Sequence, residues 1–310
     1  MWTPAARAQP KLPIIGVLGL SRLPYYGELR EGLAERGFVE GRDYAFEYRS
    51  ATSAQYEQDQ IAAQVADLLR RGVVLIVTSS LPQALAAKAL TTTVPIVFWT
   101  GADPIEVGLV ASFHRPGGNL TGVSGLNTAV IGKRLELLHE LMPAASSFAH
   151  FVNPTNKGYG EAETRELQVV AHALGVRLAV LNITRASEIE DAFTTLVHDR
   201  VDGLVVGADA IFVDSMSELV SLAAHHKMPS IYQSREFVGV GGLASYGTRY
   251  SDGYRICGVY AARILKGEKP ADLPVQQITR TEMAINLKTA KALGLGIPPT
   301  LLAIADEVIE

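Results

Sequence analysis

Residues 68–77 read LLRRGVVLIV, and residues 196–205 read LVHDRVDGLV. Each stretch joins the end of a helical pattern to a short apolar run. Such runs are typical of strands that are buried on both faces of a parallel sheet. The two stretches lie about 130 residues apart, and Val-Pro-Ile at 94–96 has a counterpart, Met-Pro-Ser at 228–230, at a similar offset. This internal repeat predicts two similar α/β lobes.

Short β-rich runs alternate with helical patterns along most of the chain, which predicts parallel sheets covered by helices on both faces. The expected strands are Leu12–Leu18, Tyr44–Tyr48, Val73–Val77, Ile96–Trp99, Asn119–Gly122, Phe148–Val152, Val176–Leu181, Gly203–Val206, Ser230–Tyr232, Gly241–Tyr246 and Met283–Asn286. The expected helices include Tyr25–Arg36, Ser53–Arg71, Pro82–Leu90, Ile131–Leu141, Gly158–Leu174, Ala186–Asp199, Asp214–His226 and Ser251–Leu265.

The pattern divides the chain into four segments. We expect a signal-peptide remnant or disordered segment over 1–10, an N-terminal lobe over 11–125 and a C-terminal lobe over 126–250. Residues 251–310 are expected to form a crossover helix and a tail that returns across the hinge. The fold class is therefore α/β, with two doubly wound parallel-sheet lobes and a ligand cleft between them.

The composition excludes several classes of protein. The 310 residues are 48% hydrophobic and 19% charged, which excludes a mainly disordered chain. The apolar runs are far shorter than the roughly 20 residues of a membrane-spanning helix. The net charge of −4 argues against a nucleic-acid partner. The single cysteine, Cys257, excludes an intrachain disulfide.

The sequence lacks the common signatures of enzymes. It has no Gly-x-Gly-x-x-Gly after the first strand, no Walker A motif and no Gly-x-Ser-x-Gly elbow. The histidines are scattered, and the adjacent His225 and His226 do not share a helix face, which makes them a poor metal site. We therefore expect no enzymatic activity, no cofactor and no metal.

Candidate binding residues follow the strands, because ligands of open parallel sheets bind beyond the carboxyl ends of the strands. Ser79 and Ser80 follow the third strand and precede Pro82, so they mark a helix N-terminus that suits a carboxylate or a phosphate. Thr100 and Asp103 follow the fourth strand. A plain helix cap is the alternative interpretation, and for Asp103 it is the favoured one.

Other loops complete the expected rim of the cleft. Ser21 and Tyr25 follow the first strand, where a tyrosine either stacks on a ligand or closes the lobes. Asn153 and Asn156 follow the first strand of the second lobe, and Tyr246 lies near the end of its fifth. We include all five among the candidate ligand-binding residues.

Asp209 is the most informative acidic residue. It is a lone carboxylate at the carboxyl end of the buried strand Gly203–Val206. In that place it can accept hydrogen bonds from a ligand ammonium group. The alternative role is a cap for the helix that follows, and the sequence leaves both roles open.

Several segments resemble one family of bacterial transport proteins. They are AAKA at 86–89, TTTVPIVF at 91–98, GLVAS at 108–112, RPGGNLTGV at 115–123, NPTN at 153–156, RILKG at 263–267 and AINLKTA at 284–290. Together they resemble the TrpX-like family of ABC-transporter substrate-binding proteins, which has the type I periplasmic binding protein fold. The resemblance covers nearly the whole chain from Lys11, and its run at 115–123 is the most specific segment.

The resemblance implies a periplasmic protein that closes around an amino acid, often aromatic, and delivers it to an ABC permease in the inner membrane. The resemblance implies that Ser79 and Ser80 bind the ligand carboxylate and that Asp209 binds the ligand ammonium. Candidates for the side-chain pocket are Tyr25, Trp99, Tyr159, Tyr232 and Tyr246. It also makes Ala6-Arg7-Ala8, which has the small-x-small form of a signal-peptidase site, the end of a truncated signal peptide.

Some alternatives remain open at this stage. A branched-chain amino acid, an aromatic acid without an amine or a small peptide would also suit these loops. A ligand-sensing receptor module, or an enzyme on the same architecture, is a further possibility because fold does not fix function. We expect a monomer.

Overall fold

The computed structural model describes residues 12–20, 25–51, 58–125, 127–156 and 159–310. The expected signal-peptide remnant at 1–10 and the candidate residue Ser21 lie outside the described residues. The described residues form two α/β lobes, so the expected fold class is confirmed.

The first lobe is built on a parallel sheet. Its elements are β1 (Ile14–Leu20), α1 (Tyr26–Ala34), β2 (Ala45–Ala51), α2 (Gln58–Arg70), β3 (Leu75–Thr78), α3 (Leu81–Leu90), β4 (Ile96–Thr100) and β5 (Leu120–Ser124). The strand order is β2-β1-β3-β4-β5. The strands β3, β4 and β5 are buried along their whole length, as continuous apolar runs predict.

The second lobe repeats this arrangement. Its elements are α4 (Asn127–Leu141), β6 (Ser147–Val152), α5 (Tyr159–Leu174), β7 (Arg177–Asn182), α6 (Ile189–His198), β8 (Gly203–Val206), α7 (Ala210–Asp214), α8 (Met216–His225), β9 (Ser230–Tyr232), α9 (Arg235–Gly239) and β10 (Ala244–Thr248). The order β7-β6-β8-β9-β10 matches that of the first sheet. In both lobes the order in which strands are added to the sheet reverses at the first strand, so ligand sites are expected there, beyond the carboxyl ends of the strands.

The tail contributes to both lobes. Its elements are α10 (Tyr250–Leu265), β11 (Gln276–Gln277), β12 (Thr281–Asn286), α11 (Leu287–Ala292), α12 (Pro299–Ile304) and β13 (Glu307–Ile309). The strand β11 extends the first sheet beside β5, whereas β12 and β13 extend the second. The strand β12 runs antiparallel to β10, so this edge departs from the parallel arrangement of the rest of the second sheet. The reason is that the chain re-enters the lobe at the end where β10 leaves it.

The chain crosses between the lobes three times: after β5, after β10 and before β12. The crossings are hydrogen bonded to one another. The Thr248 hydroxyl donates to the Gly125 carbonyl at 2.6 Å, and the Arg249 N–H donates to the Arg280 carbonyl at 3.2 Å. Short connections that lie side by side at one end of both sheets are the arrangement of a hinge.

Helix α10 leaves the second lobe and packs on α1 of the first. The two helices cross at Gly32 and Gly258 with their backbones in contact. A Cβ atom on Gly32 would lie 1.9 Å from the Arg255 carbonyl oxygen, and one on Gly258 would lie 2.1 Å from that of Leu29. Only glycine fits at either position, and this packing places Tyr250, the first residue of α10, beside the cleft.

We predict that Gly32→Ala destabilises the protein by about 1–3 kcal/mol, because the added methyl group would force α1 away from α10. The control is Gly27→Ala in the same helix, where an added Cβ meets nothing within 4 Å. That control should be neutral or stabilising by up to about 1 kcal/mol through helix propensity. Chemical denaturation measures both free energies of unfolding, and equal stability of the two variants would contradict the proposed crossing.

Candidate functional site

A cleft lies between the carboxyl ends of the two sheets. Its walls come from the loops after β3, β4, β6, β8 and β9 and from the start of α10. It contains about 540 Å³ of space free of protein atoms, the solvent at its mouth included. The polar groups on its walls include Ser79, Ser80, Thr100, Asn127, Asn156, Asp209 and Gln233.

Asp209 lies in the wall of the second lobe, directly before α7. Its Oδ1 accepts hydrogen bonds from the Ile211 N–H at 3.0 Å and from Asn153 Nδ2 at 3.1 Å, and Oδ2 accepts one from Asn156 Nδ2 at 3.0 Å. Burial raises the pKa of the Asp209 carboxyl above its usual range, and these three hydrogen bonds oppose the rise. Among the described residues, none of the groups that shift this pKa is cationic. The carboxylate thus caps α7 and still has acceptor capacity on Oδ2.

The N-terminus of α3 forms the facing wall in the first lobe. Ser80 is the N-cap residue, in extended conformation with φ −153° and ψ 160°. The Ser79 hydroxyl donates to the Leu18 carbonyl at 3.0 Å, and Thr100 Oγ1 accepts from the Ala102 N–H at 3.1 Å. Both of these side chains therefore hold the wall itself together. The start of this ten-residue helix carries a partial positive charge that favours an anion.

An aromatic surface lines the cleft between these two walls. Trp99 and Tyr250 have ring centroids 5.3 Å apart, and Tyr159 lies on the second-lobe side. Two glycines hold Trp99 in place, since a Cβ atom would come within 2.3 Å of its ring at Gly253 and within 2.8 Å at Gly125. Flat, buried rings of this kind suit an apolar or aromatic ligand group.

Tyr25 joins the two lobes and does not line the cleft. Its hydroxyl donates a hydrogen bond to the Glu236 carboxylate of α9, in the opposite lobe. Its ring stacks on Tyr250 at 5.9 Å and on Tyr254 at 5.4 Å. Burial, together with the neighbouring Glu236 carboxylate, raises the pKa of Tyr25, so the phenol remains a donor. The sequence leaves two roles open for Tyr25, stacking on a ligand or closing the lobes. These contacts are the ones expected for closing the lobes.

Three other candidate residues make structural contacts in place of the expected ligand contacts. The Asp103 carboxylate accepts hydrogen bonds from two N–H groups of the turn that follows it, and it lies outside the cleft lining. Asn153 lies behind Asp209 and donates to it. The Tyr246 hydroxyl accepts from Thr281 Oγ1 at 3.1 Å, because the residue lies within β10 and not beyond its end.

Sequence reasoning does not single out Gln233, yet this side chain lines the cleft directly after β9. Gln233 is 1% exposed, and its Oε1 has no hydrogen-bond partner among the described residues. The internal repeat pairs Gln233 with Trp99, and this correspondence is the signal that could have found it. Its neighbour Tyr232, an expected pocket residue, stacks on Phe237 with ring centroids 4.6 Å apart in the core.

The described residues contain no group of three or more His, Cys, Asp or Glu side chains placed to hold a metal ion. No helix in the described ranges has both the length and the apolar character needed to span a bilayer. Cys257 is buried in α10, and burial raises the pKa of its thiol, so it offers no exposed thiolate.

A family model described as ABC transporter substrate binding protein matches residues 15–309 of the chain. The chain belongs to this family. A protein named tyrosine-binding protein from Clostridioides difficile (strain R20291) is 30% identical over 286 residues, which cover 91% of this chain and 81% of the relative. The family is one of substrate-binding proteins that serve ABC transporters.

Two solved structures of similar proteins match the fold of this substrate-binding protein to different degrees. One is an ABC domain in complex with L-Trp from Streptococcus pneumonia, with 28% identity, a TM-score of 0.85 and coverage of 96% of this chain and 100% of that one. The other is the ligand-free, open structure of a substrate binding protein with adhesive properties from Clostridium difficile, with 26% identity, a TM-score of 0.67 and coverage of 96% and 99%. The two proteins have nearly the same identity and coverage, but the TM-score is higher for the tryptophan complex. The lobe arrangement described here is therefore nearer to that of the tryptophan complex than to that of the open structure.

Proposed function

We propose that this substrate-binding protein closes around one aromatic amino acid, L-tyrosine or L-tryptophan, and presents the closed form to an ABC permease. The observation that carries the proposal is the Asp209 carboxylate, which is partly buried at the cleft and whose hydrogen-bond donors among the described residues are all neutral. A ligand ammonium supplies the missing positive charge. The similarity to a tyrosine-binding protein and to a protein solved in complex with L-Trp supports the aromatic class.

The zwitterion lies across the cleft in this proposal. Its ammonium donates to Asp209 Oδ2, and its carboxylate lies at the N-terminus of α3, where Ser80 and the helix dipole favour an anion. Its ring packs against Trp99 and Tyr250. The unpartnered Gln233 Oε1 is an acceptor for a donor on the ligand.

Ligand contacts from both lobes make the closed state the favoured one, since a ligand shifts a conformational equilibrium by its differential affinity for the two states. The protein acts in the compartment outside the inner membrane, as an exported periplasmic protein, and releases the ligand unchanged. The carrier role needs no nucleophile, base or cofactor. The permease recognises the surface that closure brings together.

We predict that Asp209→Ala weakens binding of L-tryptophan or L-tyrosine by roughly 10–150-fold, since a charge-assisted hydrogen bond contributes about 1.5–3 kcal/mol. The same change should have little effect on the matching acid without an amine, such as indole-3-propionate. Calorimetry on protein that has been unfolded and refolded, to remove carried-over ligand, measures both affinities.

The matched control for this experiment is Asp103→Ala. This acid also follows a strand of a parallel sheet, but its carboxylate caps a turn outside the cleft. The affinity of the Asp103→Ala variant for the amino acid should equal that of the wild type. Equal losses for the amino acid and the amine-free acid would contradict the role of Asp209.

Closure brings Gly101 of the first lobe against the second lobe. A Cβ atom on Gly101 would lie 2.7 Å from Tyr159 Oη and 2.8 Å from Asn127 Nδ2. Neither neighbour moves easily, because Tyr159 is buried, and Asn127 donates to Tyr250 Oη at 3.0 Å and accepts from Thr248 Oγ1 at 2.8 Å. This position is therefore a steric test of closure.

We predict that Gly101→Ala weakens amino-acid binding by roughly 5–150-fold, because overpacking the closed interface costs about 1–3 kcal/mol. With saturating ligand, its radius of gyration in small-angle scattering should exceed that of the wild type. Gly27→Ala is the control and should behave as the wild type in both measurements. A Gly101→Ala variant that closes normally would show that the two lobes do not meet at this residue.

A further inference from the structure

A buried ion pair lies behind the wall that carries Asp209. Arg134 of α4 is 0% exposed and Glu163 of α5 is 2% exposed, and Arg134 Nη1 lies 3.9 Å from Glu163 Oε1. Arg134 Nε donates to the Tyr246 carbonyl at 2.7 Å, while Nη1 and Nη2 have no hydrogen-bond partner in the described part of the chain. Neither side chain is among those that line the cleft. The pair thus acts on the site only through its neighbours.

Glu163 contacts the loop that carries Asp209. The Ala208 N–H donates to Glu163 Oε1 at 3.2 Å, with Oε2 at 3.3 Å. Gly207 provides the room for this contact, since a Cβ atom there would lie 2.7 Å from Glu163 Oε2 and 2.7 Å from the Phe151 carbonyl. The Glu163 carboxylate therefore fixes Ala208, the residue next to Asp209, which is the proposed partner of the ligand ammonium group.

The charge behind the site depends on the protonation state of Glu163. When this carboxyl is ionised, it balances Arg134. When it is protonated, Arg134 is left as a buried positive charge behind the place proposed for the ligand ammonium. Burial raises the pKa of Glu163 to about 7 and Asp209 adds to the rise, while Arg134 and the Ala208 N–H oppose it.

The other titratable groups around Glu163 keep one charge state near neutral pH. His150 of β6 stays neutral, because burial lowers its pKa to about 4. Tyr159 of α5 and Tyr250 of α10 stay protonated, because burial raises their pKa values. Arg134 from α4 and Asp209 after β8 are the other charged groups that face Glu163.

We propose that Glu163 is a positioning residue for the ligand ammonium group, and that ligand binding expels the proton of this buried carboxyl. The inference rests on the proposed function. The bound ammonium favours the ionised form of Glu163, so by linkage the affinity is highest above pH 7 and falls as the pH falls through 7. The ligand's own two charges do not change between pH 6 and pH 8.

The first test uses the wild-type protein with L-tryptophan and L-tyrosine. Affinity at pH 6 should be roughly three- to tenfold weaker than at pH 8, as expected when one group with a pKa near 7 must lose its proton on binding. Calorimetry at pH 7 in two buffers of different ionisation enthalpy should show release of up to about half a proton per ligand. The same Kd at both pH values, without proton release, would overturn the inference while leaving the proposed function intact.

The second test uses Glu163→Gln, which keeps an acceptor for the Ala208 N–H but does not titrate. This variant should bind at both pH values with an affinity near that of the wild type at pH 6, and it should release no proton. The control is Glu166→Gln, an exposed position on the same helix, which should keep the wild-type pH profile.

The outcomes separate the possible explanations. A Glu163→Gln protein that keeps the pH dependence would assign it to Asp209 and overturn the inference. If Glu163→Gln does not fold, proton release by an Asp209→Asn variant decides the question: release that persists assigns the proton to Glu163, and its loss would overturn the inference. Absence of binding to either amino acid at pH 8 would overturn the proposed function and this inference with it.

Discussion

Asp209 is a partly buried carboxylate whose hydrogen-bond donors among the described residues are all neutral, so none of them supplies a positive charge. Its oxygens accept hydrogen bonds from Ile211, Asn153 and Asn156, which orient the group without neutralising it. Such a group is costly to bury unless a cation arrives. We propose that the ligand ammonium is this cation. Closure of the two lobes brings it to Asp209 and excludes water from the cleft.

Closure of the lobes is built from contacts of several kinds. The hinge restricts motion, since three crossings lie side by side. The contact of α1 with α10 at Gly32 and Gly258 holds Tyr250 at the cleft. The hydrogen bond from Tyr25 to Glu236 then links the two lobes directly. A ligand that touches both lobes adds to these contacts only in the closed state, which is how binding energy becomes conformational change.

The sequence was a good guide to the framework because continuous apolar strands and helix-ending glycines are local signals. It was a weaker guide to the site. Position after a strand placed Asp209 and Ser80 at the cleft, but the turn geometry decides where a side chain points, and Asp103 turns to its own backbone N–H groups. Tyr246 lies within a strand that ends two residues later than expected, at Thr248.

Glu163 was out of reach of sequence reasoning for a different reason. An acid in an amphipathic helix normally faces solvent, and only the tertiary structure shows that this one packs beneath the sheet edge, near Arg134. Gln233 was missed because it carries no charge or ring that marks a binding residue. Both residues became apparent through burial and missing or unusual partners, which are properties of the fold and not of the local sequence.

The most direct test of the central claim is a crystal structure of the refolded protein with L-tryptophan or L-tyrosine. The account predicts a closed protein with the ligand ammonium within hydrogen-bond distance of Asp209 Oδ2 and the carboxylate at the N-terminus of α3. The ring should pack against Trp99 and Tyr250. A ligand whose amine points away from Asp209, or whose ring lies at the start of α3, would contradict it.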